Sequence, residues 1–173
     1  KEILFNVYPI TIIGKEAVSI NELRLDSRKV EAKDVFFAVK GSSVDGHTFI
    51  PKVIEQGASV IVCEEIPVEL QAAVVYVQVK DARRTAAIMA CNFYNHPSAN
   101  LKLVGVTGTN GKTSVATLLH QIYVQKNHKS GLLSTIVNKI NNEEIPSTHT
   151  TPDPIAINAL LRKMVDENCE YAF

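Results

Sequence analysis

Through the first hundred residues, short apolar runs alternate with stretches of helical period. "DVFFAVKG" (34–41) is a continuous apolar run stopping at Gly41, which is the pattern of a buried strand. "FIPKVIEQGASVIVCEE" then reads as a short helix, a stop at Gly57 and a Val/Ile strand, and "AVVYVQV" (73–79) as another strand by its β-branched content. In "DARRTAAIMACNFYNHP", Asp81 is placed to cap a helix whose Ala82, Ala86, Met89 and Phe93 share one face, with His96-Pro97 as its end. "HPSANLK" interrupts the pattern with a proline and small polar residues. The expected boundary is therefore at 97, with one domain over 1–97 and a second over 98–173.

The second domain restarts with strand "LKLVGV", followed by a glycine-rich loop and a helix. Val115, Leu118, Leu119 and Ile122 fall at i, i+3, i+4 and i+7, which predicts one packed face for that helix. "SGLLSTIV" (130–137) reads as a further strand and "NKINNEEIP" as a hairpin turning at Asn141-Asn142. "TPDPIAINALLRKMVDENCEYAF" predicts a helix with Ile157, Leu160, Leu161, Met164 and Val165 inward, then the first residues of a strand. The expected class is α/β: a small α/β domain, then the start of a mostly parallel, Rossmann-like sheet. An unpaired sheet edge is expected beyond residues 169–173.

The loop supplies candidate chemistry. In "GVTGTNGKTSVATLL", Gly108 and Gly111 permit a turn whose N–H groups converge on an anion, and the following helix adds its positive N-terminal end. Lys112 is positioned to reach the β- and γ-phosphates and the Thr113 hydroxyl to ligate Mg²⁺. The loop departs from the common G-x-x-x-x-G-K-[ST] spacing because Val106 stands five before Gly111. Nucleotide binding follows. The loop alone leaves kinase, GTPase, ATPase and ligase open.

Composition narrows this further. Lys+Arg and Asp+Glu both number 18, so no global field draws in nucleic acid or an anionic membrane. No apolar run approaches the roughly 20 residues of a membrane span, and "KEILFNVYPI" lacks the apolar core of a signal peptide. Cys63, Cys91 and Cys169 are isolated and odd in number, which fits a reducing cytoplasm rather than a disulfide framework. The five histidines show no metal-ligand spacing.

With these residues in view, "VGVTGTNGKTSVATLL" resembles the ATP loop of the Mur ligases. "LRLDSRKVEAKDVFFAVKGSSVDGHTFIPKVIEQGA" resembles their N-terminal UDP-binding domain, in the MurE branch above all. "STHTTPDP" is similar to the segment of that branch that meets the muramoyl dipeptide, and the segments occur in order over nearly the whole chain. The resemblance implies a cytoplasmic, monomeric enzyme of peptidoglycan synthesis with ATP and Mg²⁺ as cofactors. It would add L-lysine or meso-diaminopimelate to UDP-N-acetylmuramoyl-L-alanyl-D-glutamate through an acyl phosphate.

Carried over residue by residue, it assigns ATP to Gly108, Thr109, Asn110, Gly111, Lys112, Thr113 and Ser114, with Lys112 as the catalytic side chain. It assigns the UDP substrate to Leu25, Ser27, Ser42, Ser43, Thr150 and Thr151, and the metal to Thr113 and Thr135. Plainer roles stay open: Ser27 as a helix cap, Asp45 and Gly46 as turn formers, Thr150 and Thr151 as a loop before a proline-capped helix. So do a plain P-loop kinase or GTPase and a non-catalytic UDP-muramoyl-binding module. The resemblance puts further metal ligands and the amine-binding domain beyond Phe173, so the 173 residues are expected to bind ligands without ligating them.

Overall fold

Three apolar runs of the first half become strands, and two short strands that the sequence pattern did not mark complete a five-stranded sheet. Its strands are β1 (Thr11–Ile13), β2 (Leu23–Arg24), β3 (Val35–Ala38), β4 (Val60–Cys63) and β5 (Val75–Gln78), in the order β1-β5-β4-β3-β2. The β2-β3-β4-β5 pairs are parallel, and β1 closes the edge antiparallel to β5. The computed structural model describes residues 2–15, 17–41, 44–146 and 152–173. The chain divides into two units, Lys1–Asn92 and Phe93–Phe173, a few residues before His96-Pro97.

Parallel strands are buried on both faces, which is why these runs are continuously apolar rather than alternating. Phe36, Ala38, Ile61, Cys63 and Tyr76 join Ile50 and Val53 of α1 (Ile50–Glu55) in one core cluster. On α2 (Ala82–Phe93) the residues Ala82, Ala86, Met89 and Ala90 are buried. Asp81 caps this helix as expected, its Oδ1 accepting the Arg84 N–H at 2.7 Å.

Asp45 and Gly46 prove to be structural. Asp45 caps a 3-10 turn, Gly46–Phe49, and a Cβ on Gly46 would lie 2.7 Å from both the backbone N and O of Val39. Those atoms belong to the chain leaving β3 and have no side-chain freedom with which to yield. Gly46→Ala is expected to lower stability by about 1–3 kcal/mol, the usual cost of overpacking. An unchanged urea midpoint would show that the close approach is not required.

The second unit has β6 (Lys102–Leu103), α3 (Lys112–Gln125), β7 (Ser130–Leu132), β8 (Val137–Ile140), β9 (Glu143–Pro146), α4 (Pro154–Asp166) and β10 (Tyr171–Ala172). Its sheet runs β6-β10-β7-β8-β9, parallel as far as β7 and antiparallel through β8 and β9. Period-2 alternation splits the core. Ala172 packs with Leu161 and Met164 of α4, while Phe173 packs with Ala116 of α3 and Leu132.

Several expectations fail here. "SGLLSTIV" is not one strand: Ser134 turns the chain, its N–H donating to Asn138 Oδ1 and its hydroxyl to the Val137 carbonyl at 2.6 Å, so β7 and β8 run antiparallel. The hairpin at Asn141-Asn142 does form, with Asn141 at φ 52. "LKLVGV" yields only a two-residue strand. The final strand is not an edge: β10 lies between β6 and β7, and among the described residues the outer strands are β6 and β9. A strand reached through a parallel crossover can enter beside either flank of an earlier one, and sequence order does not say which.

The packed face of α3 is also different. Val115, Leu118 and Ile122 are 46%, 57% and 44% exposed, whereas Ala116 and His120 are buried and Leu119 and Tyr123 partly so. His120 makes the difference: Nδ1 meets the Ser130 hydroxyl at 2.9 Å and Nε2 the Asn141 carbonyl at 3.1 Å. These contacts pin this side of the helix to the β7-β8 hairpin, and burial pushes the imidazole below its ordinary pKa.

Candidate functional site

The chain leaving β6 runs through Gly105–Asn110 and enters α3 at Gly111, the N-cap residue, whose φ of 77 is left-handed. Gly108 has φ 150. Both values favour glycine, and together they fold the loop back over the start of α3. The first N–H groups of that helix have no carbonyl one turn earlier to bind, so they are available to an anion. Residues 107–112 are exposed. Lys112 Nζ donates to the Gly108 carbonyl at 2.6 Å and lies 3.5 Å from that of Thr109, so the ammonium sits across the mouth of its own loop.

Thr135 belongs to this site although it lies far along the chain. The β7-β8 turn brings its Oγ1 to 3.3 Å from that of Thr113. Lys112, Thr113, Ser134 and Thr135 line one side of a cavity of about 400 Å³, and Val106 and Phe173 stand on its apolar side. Ser134 was not foreseen; its hydroxyl is engaged within the turn, so it shapes the wall. The donor set at Thr113 and Thr135 is two neutral hydroxyls. That suits a hard cation whose remaining ligands are phosphate oxygens and water. Among the described residues no group of three or more His, Cys, Asp or Glu side chains could hold a metal.

In the first unit the "LDSR" turn follows β2. Asp26, not Ser27, caps the 3-10 turn Ser27–Lys29, accepting the Arg28 N–H at 3.0 Å and the Arg28 guanidinium at 2.8 and 2.9 Å. Those bonds to Arg28 hold the Asp26 carboxyl down to about 2. Ser27 itself is 9% exposed, and its hydroxyl makes no hydrogen bond among the described residues. Leu25 is half-buried beside it.

Because β2 pairs with β3, Arg24 opposite Phe36, this turn and the chain leaving β3 emerge at the same carboxyl edge of the sheet. That edge is where open parallel sheets bind ligands. Ser42, Ser43, Thr150 and Thr151 lie outside the described residues. A larger cavity of about 780 Å³ is lined mainly by aliphatic side chains such as Val35, Val60, Val75 and Met89, with Lys15 and Ser19 as the polar side chains among the described lining residues.

Comparison with known proteins agrees with this geometry. Residues 19–94 match the Mur ligase family catalytic domain and residues 106–173 the Mur ligase middle domain. A UDP-N-acetylmuramoyl-L-alanyl-D-glutamate--2,6-diaminopimelate ligase from Bacteroides fragilis is 48% identical over 173 residues, covering 100% of this chain and 36% of the relative. The enzyme of the same name from Phocaeicola vulgatus is 49% identical over 162 residues, 94% of this chain and 34% of its own length. The chain thus spans about a third of these relatives.

Among solved structures, a UDP-N-acetylmuramoyl-L-alanyl-D-glutamate--2,6-diaminopimelate ligase superposes with a TM-score of 0.72 at 22% identity, over 92% of this chain and 33% of that one. That likeness establishes the fold. MurF ligase from Thermotoga maritima, solved in complex with ADP, gives a TM-score of 0.56 at 29% identity, over 79% of this chain and 28% of that one.

Proposed function

The chain belongs to the Mur ligase family, and from that premise we propose that it supplies the UDP-substrate and ATP-binding parts of an ATP-dependent amide ligase of peptidoglycan precursor synthesis. Its acceptor would be UDP-N-acetylmuramoyl-L-alanyl-D-glutamate and the added diamino acid 2,6-diaminopimelate, the residue in the names of its relatives. Residues 1–97 would bind the uridine end and 98–173 the ATP. The protein would act as a cytoplasmic monomer, apart from nucleic acid and membranes; among the described residues no helix is long and apolar enough to cross a bilayer.

The chemistry asks for this division. A carboxylate is a poor electrophile. One of its oxygens attacks the γ-phosphorus of ATP and ADP leaves; the incoming amine then attacks the acyl phosphate, and phosphate leaves as the amide forms. The protein's part is positioning and charge neutralisation. Lys112 would turn from the Gly108 and Thr109 carbonyls to the transferred phosphoryl group. The free N–H groups of Gly111, Lys112, Thr113 and Ser114 would hold the phosphate chain, with Thr109 and Asn110 shaping the loop around it. Thr113 and Thr135 would hold Mg²⁺, which supplies charge neutralisation on the phosphates when bound. Leu25, Ser27, Ser42 and Ser43 would bind the uridine end of the UDP-muramoyl compound, and Thr150 and Thr151 its sugar–peptide part.

The observation that carries the reading is a Ser27 hydroxyl at the carboxyl edge of the first sheet, unpartnered among the described residues, in the same chain as a glycine loop at the head of α3. Calorimetry tests it. The chain is expected to bind the UDP-muramoyl dipeptide and ATP independently. Ser27→Ala is expected to weaken the UDP compound about three- to tenfold, the worth of one neutral hydrogen bond, with ATP unaffected. No heat from millimolar UDP compound would dismiss the assignment of the first domain.

A further inference from the structure

His47 stands where the chain leaving β3 turns into α1, and its ring is 13% exposed. Its Nδ1 lies 2.6 Å from Asp45 Oδ1. On the other side, the backbone N–H groups of Glu64 and Glu65 donate to Nε2 at 3.0 and 3.2 Å. A backbone N–H only donates, so Nε2 must carry the lone pair and the ring proton sits on Nδ1, donated to Asp45. The same carboxylate oxygen accepts the His47 N–H at 2.9 Å, and these bonds hold Asp45 below the usual carboxylate range.

The ring therefore does more than complete its own turn: it fastens the exit of β3 to the exit of β4. From Glu64 the connection continues, since its carbonyl accepts from the Gln78 side chain at 3.1 Å and its Oε1 from the Ala82 N–H at 3.1 Å. The imidazole thus joins the ends of β3 and β4, and Glu64 extends the connection to β5 and the start of α2. The surface pair Lys40–Glu65, 2.5 Å apart, lies beside this chain of bonds. Backbone bonds from Gly41 N to the Val44 carbonyl, 3.0 Å, and from Gly46 N to the Val39 carbonyl, 2.9 Å, close the loop base that His47 holds.

We propose that His47 is a positioning residue for the uridine-nucleotide site: as a neutral Nδ1–H imidazole it fixes the carboxyl edge of β3 and β4 next to the Ser27 turn. This rests on the UDP-binding reading given above. A histidine that only stabilises the fold would, when replaced, lower the melting temperature without separating the two ligands.

Two variants of the full chain test it. His47→Gln keeps an amide oxygen able to reach the Glu64 and Glu65 N–H groups, whereas His47→Phe fills the volume without an acceptor. His47→Phe is expected to weaken the UDP-muramoyl dipeptide about tenfold and leave ATP unchanged, and His47→Gln to recover most of the loss. Long-range ¹H–¹⁵N spectra of the wild type are expected to show the Nδ1–H tautomer. Amide exchange at Glu64 and Glu65 is expected to accelerate in the Phe variant and not in the Gln variant.

An Nε2–H tautomer, undiminished UDP-compound binding by His47→Phe, or a Gln variant no better than Phe each overturns the proposal. Should His47→Phe not fold, the tautomer and the Gln variant still decide it: a Gln variant with wild-type UDP-compound affinity and protected amides supports the clamp, and one that loses both refutes it. A wild-type chain that shows the tautomer and the protected amides yet binds no UDP compound refutes the nucleotide reading and, with it, the positioning role, while the clamp itself stands.

Discussion

Lys112→Ala is expected to lower ATP affinity about ten- to a hundredfold, the worth of a charge-assisted hydrogen bond to phosphate, with the melting temperature unchanged. The two halves of this expectation have separate grounds. Lys112 is exposed, and its ammonium donates to carbonyls of its own loop, so removing it takes nothing from a core. The loop geometry is held by Gly108 and Gly111, which remain. The affinity loss follows from the place of the ammonium, across the mouth of a loop whose other donors are neutral N–H groups. Titration calorimetry with ATP, alongside a thermal melt, checks both. Unchanged affinity would remove the phosphate assignment, and a large drop in melting temperature would make Lys112 structural.

Asp34→Ala is expected to cost about 2–4 kcal/mol, from the loss of a buried carboxylate that accepts two part-buried N–H groups and pairs with a guanidinium. Asp34 is 1% exposed. Its Oδ1 accepts the Glu22 N–H at 3.2 Å, and its Oδ2 accepts the Glu31 N–H at 3.0 Å and Arg24 Nε at 2.9 Å. One carboxylate thus holds the start of β2 against the turn that leads into β3, and it raises the Arg24 pKa above its ordinary value. Arg24 keeps partial solvent contact, which places the cost below that of a fully buried pair. Urea unfolding followed by the amide signals of β3, β4 and β5 is the measurement. A loss under about 1 kcal/mol would mean that water replaces the carboxylate.

Local signals in the sequence were sufficient where one element acts alone. The continuous Val/Ile/Phe runs gave the buried parallel strands, because burial on both faces needs no alternation. Asp81, Gly57 and Asn141 marked a cap, a stop and a turn through their own backbone and side-chain chemistry. The glycine loop was legible for the same reason: two glycines, a lysine and a threonine before a helix specify a turn at the helix head within a few residues.

What depended on distant partners was not legible. The apolar stripe Val115, Leu118 and Ile122 promised a buried face, but which side of α3 is covered is set by His120 reaching the β7-β8 hairpin. The position of β10 inside its sheet, the meeting of Thr113 with Thr135, and the clamp from His47 to Glu64 and Glu65 all join residues far apart in sequence. The "LDSR" turn falls between the two cases. Its residues announce a capped turn, yet the pairing of Asp26 with Arg28 decides that Asp26 is the cap, and Ser27 is buried with its hydroxyl unpartnered among the described residues. By itself, the sequence determined the α/β class, most of the elements and the turn of the glycine loop, since periodicity and turn chemistry act over a few residues. The tertiary structure alone decided which faces are covered and which polar atoms meet, since those follow from strand order and packing across the whole unit.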